Sequence, residues 1–160
     1  MRQPELKHYF ERIPGAPSPI ETSITRRLQF SESDPLQIAW HGNYAKFFEA
    51  AYEELSRLCG FDVAALKKEH VSVLFYHDEY DYRIPVRYGE VFHVSAALIW
   101  TEAPRINIEY AVRLEDGRVA ATGCTTQILI DARDFTPLWH VPRFWEDFLT
   151  RWKEGGIHHG

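Results

Sequence analysis

Cysteine is nearly absent from this chain. The two present, Cys59 and Cys124, stand far apart with no Cys-x-x-Cys spacing, which excludes a disulfide framework and leaves both as small apolar residues of a reducing compartment. Positive charge is in deficit, with 18 Lys and Arg against 23 Asp and Glu and a formal net charge of -5; that balance argues against a nucleic-acid partner. Long apolar runs are missing as well. The first residues carry Arg2, Glu5, Lys7, Glu11 and Arg12, so neither a signal peptide nor a membrane span is visible and a cytoplasmic location is expected by elimination. No internal repeat is present.

What remains is a chain of 160 residues, 45% hydrophobic and 14% aromatic, large enough to bury one core and read as a single domain over 1–160. Pro4, Pro14, Pro17 and Pro19 make residues 1–20 an irregular surface arm. A strand is predicted from Glu21 to Phe30, delivering Asp34 from its end. Over Asn43 to Cys59, Tyr44, Phe47, Phe48, Ala51, Leu55 and Leu58 recur at intervals of three and four, which predicts one long amphipathic helix with Asn43 as its cap and Gly60 past its end. A shorter helical piece follows at Val63 to Glu69. Four strands are then predicted: Val71 to Arg83, Val91 to Thr101, Arg105 to Glu115 and Arg118 to Ile130, with Asp116-Gly117 as a two-residue hairpin turn. A C-terminal helix over 142–153 starts at Pro142.

The stretch Ser33-Asp34-Pro35-Leu36-Gln37-Ile38-Ala39-Trp40-His41-Gly42-Asn43-Tyr44 sets an isolated acid just before a helix N-terminus. A carboxylate beside unpaired backbone N–H donors can attack and polarise a carbonyl. This stretch resembles the active-site loop of the 4-hydroxybenzoyl-CoA thioesterase family. The resemblance continues through Tyr44-x-x-Phe47-Phe48-Glu49-Ala50-Ala51, Pro85-Val86-Arg87-Tyr88-Gly89-Glu90 and Asp116-Gly117-Arg118-Val119-Ala120-Ala121-x-Gly123. Strand, long helix, then four antiparallel strands is also the α+β order of the hotdog fold, a curled antiparallel sheet wrapped around one long central helix.

The resemblance implies an acyl-CoA thioesterase that releases a carboxylic acid and free coenzyme A. Asp34 would act as nucleophile or general base, and the backbone N–H at His41 would polarise the carbonyl, with the His41 imidazole a separate candidate for catalysis. Trp40, Asn43 and Tyr44 would bind substrate, although capping and packing explain Asn43 and Tyr44 as well. Arg83, Arg87 and Arg105 are candidates for the phosphates, because guanidinium groups hold phosphate by paired hydrogen bonds. Gln37 stands where the family usually has glycine, which raises the question of the loop's backbone angles. His77, Asp78 and Glu79 are ligand-type residues, but neighbours on a strand point to opposite faces, so no metal is assigned. No cofactor is implied beyond the coenzyme A of the substrate. Active sites of this fold lie between subunits, which implies a homodimer or homotetramer. The rival readings are a thioesterase acting on an acyl-carrier protein, an enoyl-thioester hydratase, and a non-catalytic acyl-CoA-binding module.

Overall fold

The computed structural model describes residues 6–157; the first five positions of the predicted arm and the last three of the chain lie outside the described residues. The elements are β1 (Ile20–Arg27), α1 (Tyr44–Cys59), α2 (Val63–Lys68), β2 (Val71–Tyr82), β3 (Val91–Ile99), β4 (Arg105–Leu114), β5 (Val119–Asp131) and α3 (Arg143–Lys153), with short 3-10 turns at Phe30–Glu32 and His41–Asn43. One antiparallel sheet has the order β1-β3-β4-β5-β2. This is the hotdog arrangement.

Alternation decides which face of the sheet meets α1. On β4, Ile106, Ile108, Tyr110, Val112 and Leu114 are buried against the helix, where Phe47, Phe48, Ala51 and Leu55 supply the opposing side chains. The Phe48 ring stacks on Tyr110 with centroids 4.7 Å apart, and it passes so close to β5 that a Cβ at Gly123 would lie 2.8 Å from it. Leu58, placed by periodicity on the same stripe, is exposed instead, two residues before Gly60 ends the helix in the left-handed conformation. Burial pushes the thiol of Cys59 up to about 12 and that of Cys124 up to about 11, so both behave as small apolar residues.

The other face of the sheet carries the arm. Arg12 donates to both carboxylate oxygens of Glu109, at 3.2 and 2.7 Å, and the Tyr9 and Phe10 amides donate to its Oε1 at 2.7 and 3.1 Å. Lys7 pairs with Glu79 and Asp81 of β2. Glu109 alternates with the helix-facing Ile108 and Tyr110, so the arm crosses the sheet on the side away from α1. At the chain's other end, Trp145, Phe148 and Trp152 bury α3 against Phe61 and Trp100, and the Trp152 indole donates to the Ser18 carbonyl.

Two expectations are corrected, and β2 departs from simple alternation. The β4–β5 hairpin loop is not a two-residue turn: Leu114 pairs with Arg118 around Glu115–Gly117, and only Gly117, at φ 85°, takes the positive φ that a two-residue type I′ turn would demand of both central residues. The strand predicted to reach Phe30 stops at Arg27, and Phe30 opens a 3-10 turn. On β2 the alternation of side chains is interrupted, because the ladder shifts register between Phe75 and His77 and leaves Tyr76 as the extra residue of a bulge. Val73, Phe75, Tyr80 and Tyr82 therefore share the helix side of β2, and Leu74 lies on the opposite one.

Candidate active site

The segment between β1 and α1 is a closed loop held at both ends. Asp34 and Ile38 join through the Asp34 amide and Ile38 carbonyl at 2.9 Å, and the Gln37 amide returns to the Asp34 carbonyl at 2.9 Å. Gln37 sits at φ 60°, so it adopts the glycine-type conformation that its position requires and bears the steric strain of doing so. The loop then pairs with residues 85–90: Ala39 donates to Val86 at 2.8 Å, Tyr88 donates to Gln37 at 2.8 Å, and Ile38 faces Arg87 across an antiparallel bridge. Two stretches singled out in the sequence thus form one small ladder.

The Asp34 carboxylate is oriented by its own loop. Its Oδ1 accepts from the Leu36 amide at 2.8 Å and the Ile38 amide at 3.3 Å, an Asx turn of the sort that Asp-Pro favours. Oδ2 has no hydrogen-bond partner among the described residues. The turn and the chemistry are compatible, since one oxygen is anchored while the other is left over.

Helical backbone begins earlier than expected. Trp40 is extended at φ -62° and ψ 131°, and the 3-10 turn His41–Asn43 leads straight into α1. Asn43 is therefore inside the first turn, with no side-chain capping bond; its buried amide instead donates to the Glu32 carbonyl at 2.8 Å. This corrects the expected cap. The Asn43 amide is engaged by the Trp40 carbonyl at 2.9 Å, whereas the His41 and Gly42 amides donate to nothing among the described residues. Those two are the orphan donors of the helix start, where the helix dipole favours negative charge.

Asp34, Ile38, Ala39, His41, Tyr44 and Tyr82, together with residues 83–85, line one cavity of about 340 Å³. Of the predicted residues, the cavity brings together Asp34, His41, Tyr44 and Arg83. Trp40 is half exposed with its indole over Gly42, and Asn43 serves the loop from behind. Arg87 lies at the cavity's edge, opposite Ile38, because directly paired residues share a face. Arg105 starts β4 at the far end of the sheet, about 30 Å along the strand from Leu114, and does not join the cavity.

Tyr82 is the residue missed by sequence reasoning. Its ring meets Tyr44 edge-on at 5.0 Å and its hydroxyl points to the His41 carbonyl at 3.5 Å. Burial, with Tyr82 nearby, pushes the Tyr44 phenol up to about 12, and partial burial together with Asp78 raises that of Tyr82. Both keep their protons at neutral pH. The signal available was adjacency: Tyr82 precedes Arg83 on the same strand end.

Comparison with known proteins gives the family and the fold. Residues 29–150 match the family model of the thioesterase-like superfamily. An Aquifex aeolicus (strain VF5) protein named "Putative esterase" is 33% identical over 95 residues, 59% of this chain and 74% of that protein. Among solved structures, the DHNA-CoA thioesterase from Staphylococcus aureus superposes with a TM-score of 0.74 at 24% identity, over 86% of this chain and 91% of that one. A second Staphylococcus aureus protein, solved in complex with CoA, gives 0.74 at 14% identity over 87% and 86%. No helix among the described residues is long and apolar enough to cross a membrane. With its match spanning the Asp34 loop, the central helix and four of the five strands, the chain belongs to the thioesterase-like superfamily, as a thioester hydrolase of the hotdog fold.

Proposed function

We propose that the chain hydrolyses acyl-CoA thioesters, with Asp34 as the reacting carboxylate and the helix start at His41 polarising the carbonyl. The observation that carries this reading is the shared cavity: Asp34, whose Oδ2 is free, and His41, whose amide is an unpaired donor, line the same space. A thioester is electrophilic because sulfur donates weakly into its carbonyl, so an aligned acid and donor suffice once the substrate is positioned. If Asp34 acts as base, it takes a proton from water, hydroxide adds to the carbonyl, and the oxyanion sits against the His41 and Gly42 amides. Collapse expels the thiolate, which takes up that proton. If Asp34 acts as nucleophile, Oδ2 adds and a mixed anhydride forms as the thiolate leaves; water then cleaves the anhydride. Neither route calls on a cofactor.

A homodimer fits the same proposal. β2 is an edge strand, paired among the described residues only to β5, and it exposes Leu74, Phe75, Tyr76 and Tyr82, more apolar surface than a solvated edge tolerates. A second cavity, of about 730 Å³, lies between α1, α2 and the first half of β2, with Tyr52, Phe61, Val73 and Phe75 in its walls. Antiparallel pairing of β2 with its copy would set the partner subunit's Asp34 loop near this cavity, giving the acyl group an apolar space.

The test is release of free thiol from short, medium, long and aryl acyl-CoAs. Wild type is expected to turn over at least one, and Asp34→Asn to lose on the order of 10²–10⁴-fold in kcat with its fold and mass unchanged. Near wild-type kcat in Asp34→Asn would remove Asp34 from the mechanism. Single-turnover hydrolysis in ¹⁸O water, read by label in the Asp34 carboxyl, separates nucleophile from base. Specific activity should fall on dilution as the dimer dissociates, and a fully active monomer would refute the shared site.

A further inference from the structure

We propose that the surface formed by Phe30, Tyr88, Arg27 and Arg87 binds the adenine nucleotide end of coenzyme A. This rests on the acyl-CoA reading above, and adds a subsite that neither the Asp34 cavity nor the apolar cavity supplies.

Phe30 and Tyr88 are 81% and 53% exposed, yet their rings are fixed edge-to-face with centroids 6.1 Å apart. Neither is held by the core. Phe30 opens the 3-10 turn closed by Ser33 donating to its carbonyl at 3.1 Å, and Tyr88 is anchored by its amide to Gln37 at 2.8 Å. The two rings are thus pre-set by backbone bonds and turned to solvent, the arrangement that offers a flat purine a stacking face at little ordering cost.

Charge complements the rings. Arg27 donates to the Gly89 carbonyl at 2.7 Å, which sets its guanidinium at the residue that follows Tyr88. Arg26, next in sequence, is consumed by Glu32 at 2.5 Å, and Glu90 is occupied by the Arg87 amide. Arg27, Arg83 and Arg87 form no ion pair among the described residues. Guanidiniums without an ion-pair partner, gathered at one end of the sheet, leave their charge available to an anion from outside the chain, and phosphate matches their paired donors.

The order of these groups follows the ligand. Arg83 lines the Asp34 cavity, Arg87 faces Ile38 at its edge, and Tyr88 with Phe30 lies beyond. A thioester at Asp34 would therefore run its phosphates past the arginines and its adenine onto the rings.

The experiment compares two thioesters of one acyl group, the coenzyme A ester and the N-acetylcysteamine ester, which lacks the nucleotide. Phe30→Ala/Tyr88→Ala is expected to raise KM for the coenzyme A ester about tenfold or more while leaving kcat/KM for the truncated ester unchanged. Adenosine 3′,5′-bisphosphate should inhibit wild type competitively and lose that effect in the double variant and in Arg27→Gln/Arg87→Gln. Equal changes with both esters, or no change with either, would overturn the proposal. Should wild type hydrolyse neither ester, the thioesterase reading fails separately. Calorimetric binding of adenosine 3′,5′-bisphosphate then decides the subsite: heat seen with wild type and lost in the variants supports it, and no heat with wild type removes it.

Discussion

The Asn43 side-chain amide donates to the Glu32 carbonyl at 2.8 Å, and the same carbonyl accepts the Trp40 amide at 3.0 Å. One backbone oxygen thereby ties the start of α1 to the chain just before Asp34, so both ends of the loop are referred to a single point. Glu32 is itself held by Arg26 and by the Gln29 amide. Acid and helix start keep their spacing through this clamp.

Removing the clamp should therefore cost both stability and rate. Asn43→Ala leaves the Trp40 bond but gives up a buried hydrogen bond, and a loss of about 1–2 kcal/mol in unfolding free energy is expected. Loosening of the loop should lower kcat more than it raises KM. Denaturant unfolding and steady-state kinetics on the same preparation check this. Wild-type values in both would show that Trp40 alone suffices.

The His41 amide can be separated from the His41 imidazole. His41→Ala keeps the N–H and is expected to lose less kcat than Asp34→Asn. His41→Pro deletes the N–H at the first helical position, where proline is tolerated, and Trp40 before it is already extended as a residue preceding proline should be. The proline variant should lose about 10²-fold or more beyond the alanine variant, the scale of one aligned oxyanion donor. Equal rates for the two variants would take the amide out of the mechanism.

At Gln37 the expectation concerns strain. The φ of 60° is the left-handed region, which costs a residue bearing a Cβ roughly 1 kcal/mol or more relative to glycine. Gln37→Gly should therefore be more stable than Gln37→Ala by about 1 kcal/mol, with kcat unchanged because the loop keeps its shape. Thermal unfolding of the two variants side by side measures the difference, and an alanine variant as stable as the glycine one would show that the loop relaxes to another conformation.

Periodicity carried much of the fold and less of the site. Tyr44 through Cys59 reads as a helix because Phe47, Phe48, Ala51 and Leu55 all face the sheet, and β4 alternates cleanly because one face meets α1 and the other meets the arm. The bulge at Tyr76 has no such signal: one inserted residue shifts every later side chain of β2 to the other face without any change in composition. Asn43 looked like a cap because its side chain suits one, but the 3-10 turn starting at His41 moves the helix start back to Trp40. Arg105 and Arg83 look alike as arginines near strand ends; only the register shows that those ends are opposite. Residues 85–90 were recognised by their pattern, while their physical purpose, pairing with the Asp34 loop, lies in long-range bonds such as that from Ala39 to Val86.

The arm's hold on the sheet should show itself through pH. Burial pushes the Glu109 carboxyl upward, but the Arg12 guanidinium and the Phe10 and Tyr9 amides outweigh it, and its pKa falls below the ordinary value of 4.5. A carboxylate lowered in the folded state adds stability that is present above about pH 4.5 and is lost as pH falls through the folded value. Arg12→Met removes the charged partner while keeping an apolar stem, leaving Glu109 with its two backbone donors and the His8 ring, whose Nδ1 lies 3.4 Å from Oε2. Arg12 is itself partly exposed, its side chain 37% accessible, so solvent screening holds the expected loss at neutral pH to about 1 kcal/mol. The gap between wild type and Arg12→Met should be full at pH 7 and shrink below about pH 4.5, as protonation removes the charge that Arg12 stabilises. Urea unfolding of both proteins at several pH values between 7 and 3 reads that gap directly. A difference that stays constant over the range would mean that Arg12 acts by packing, and that the arm is held to the sheet without the Glu109 charge.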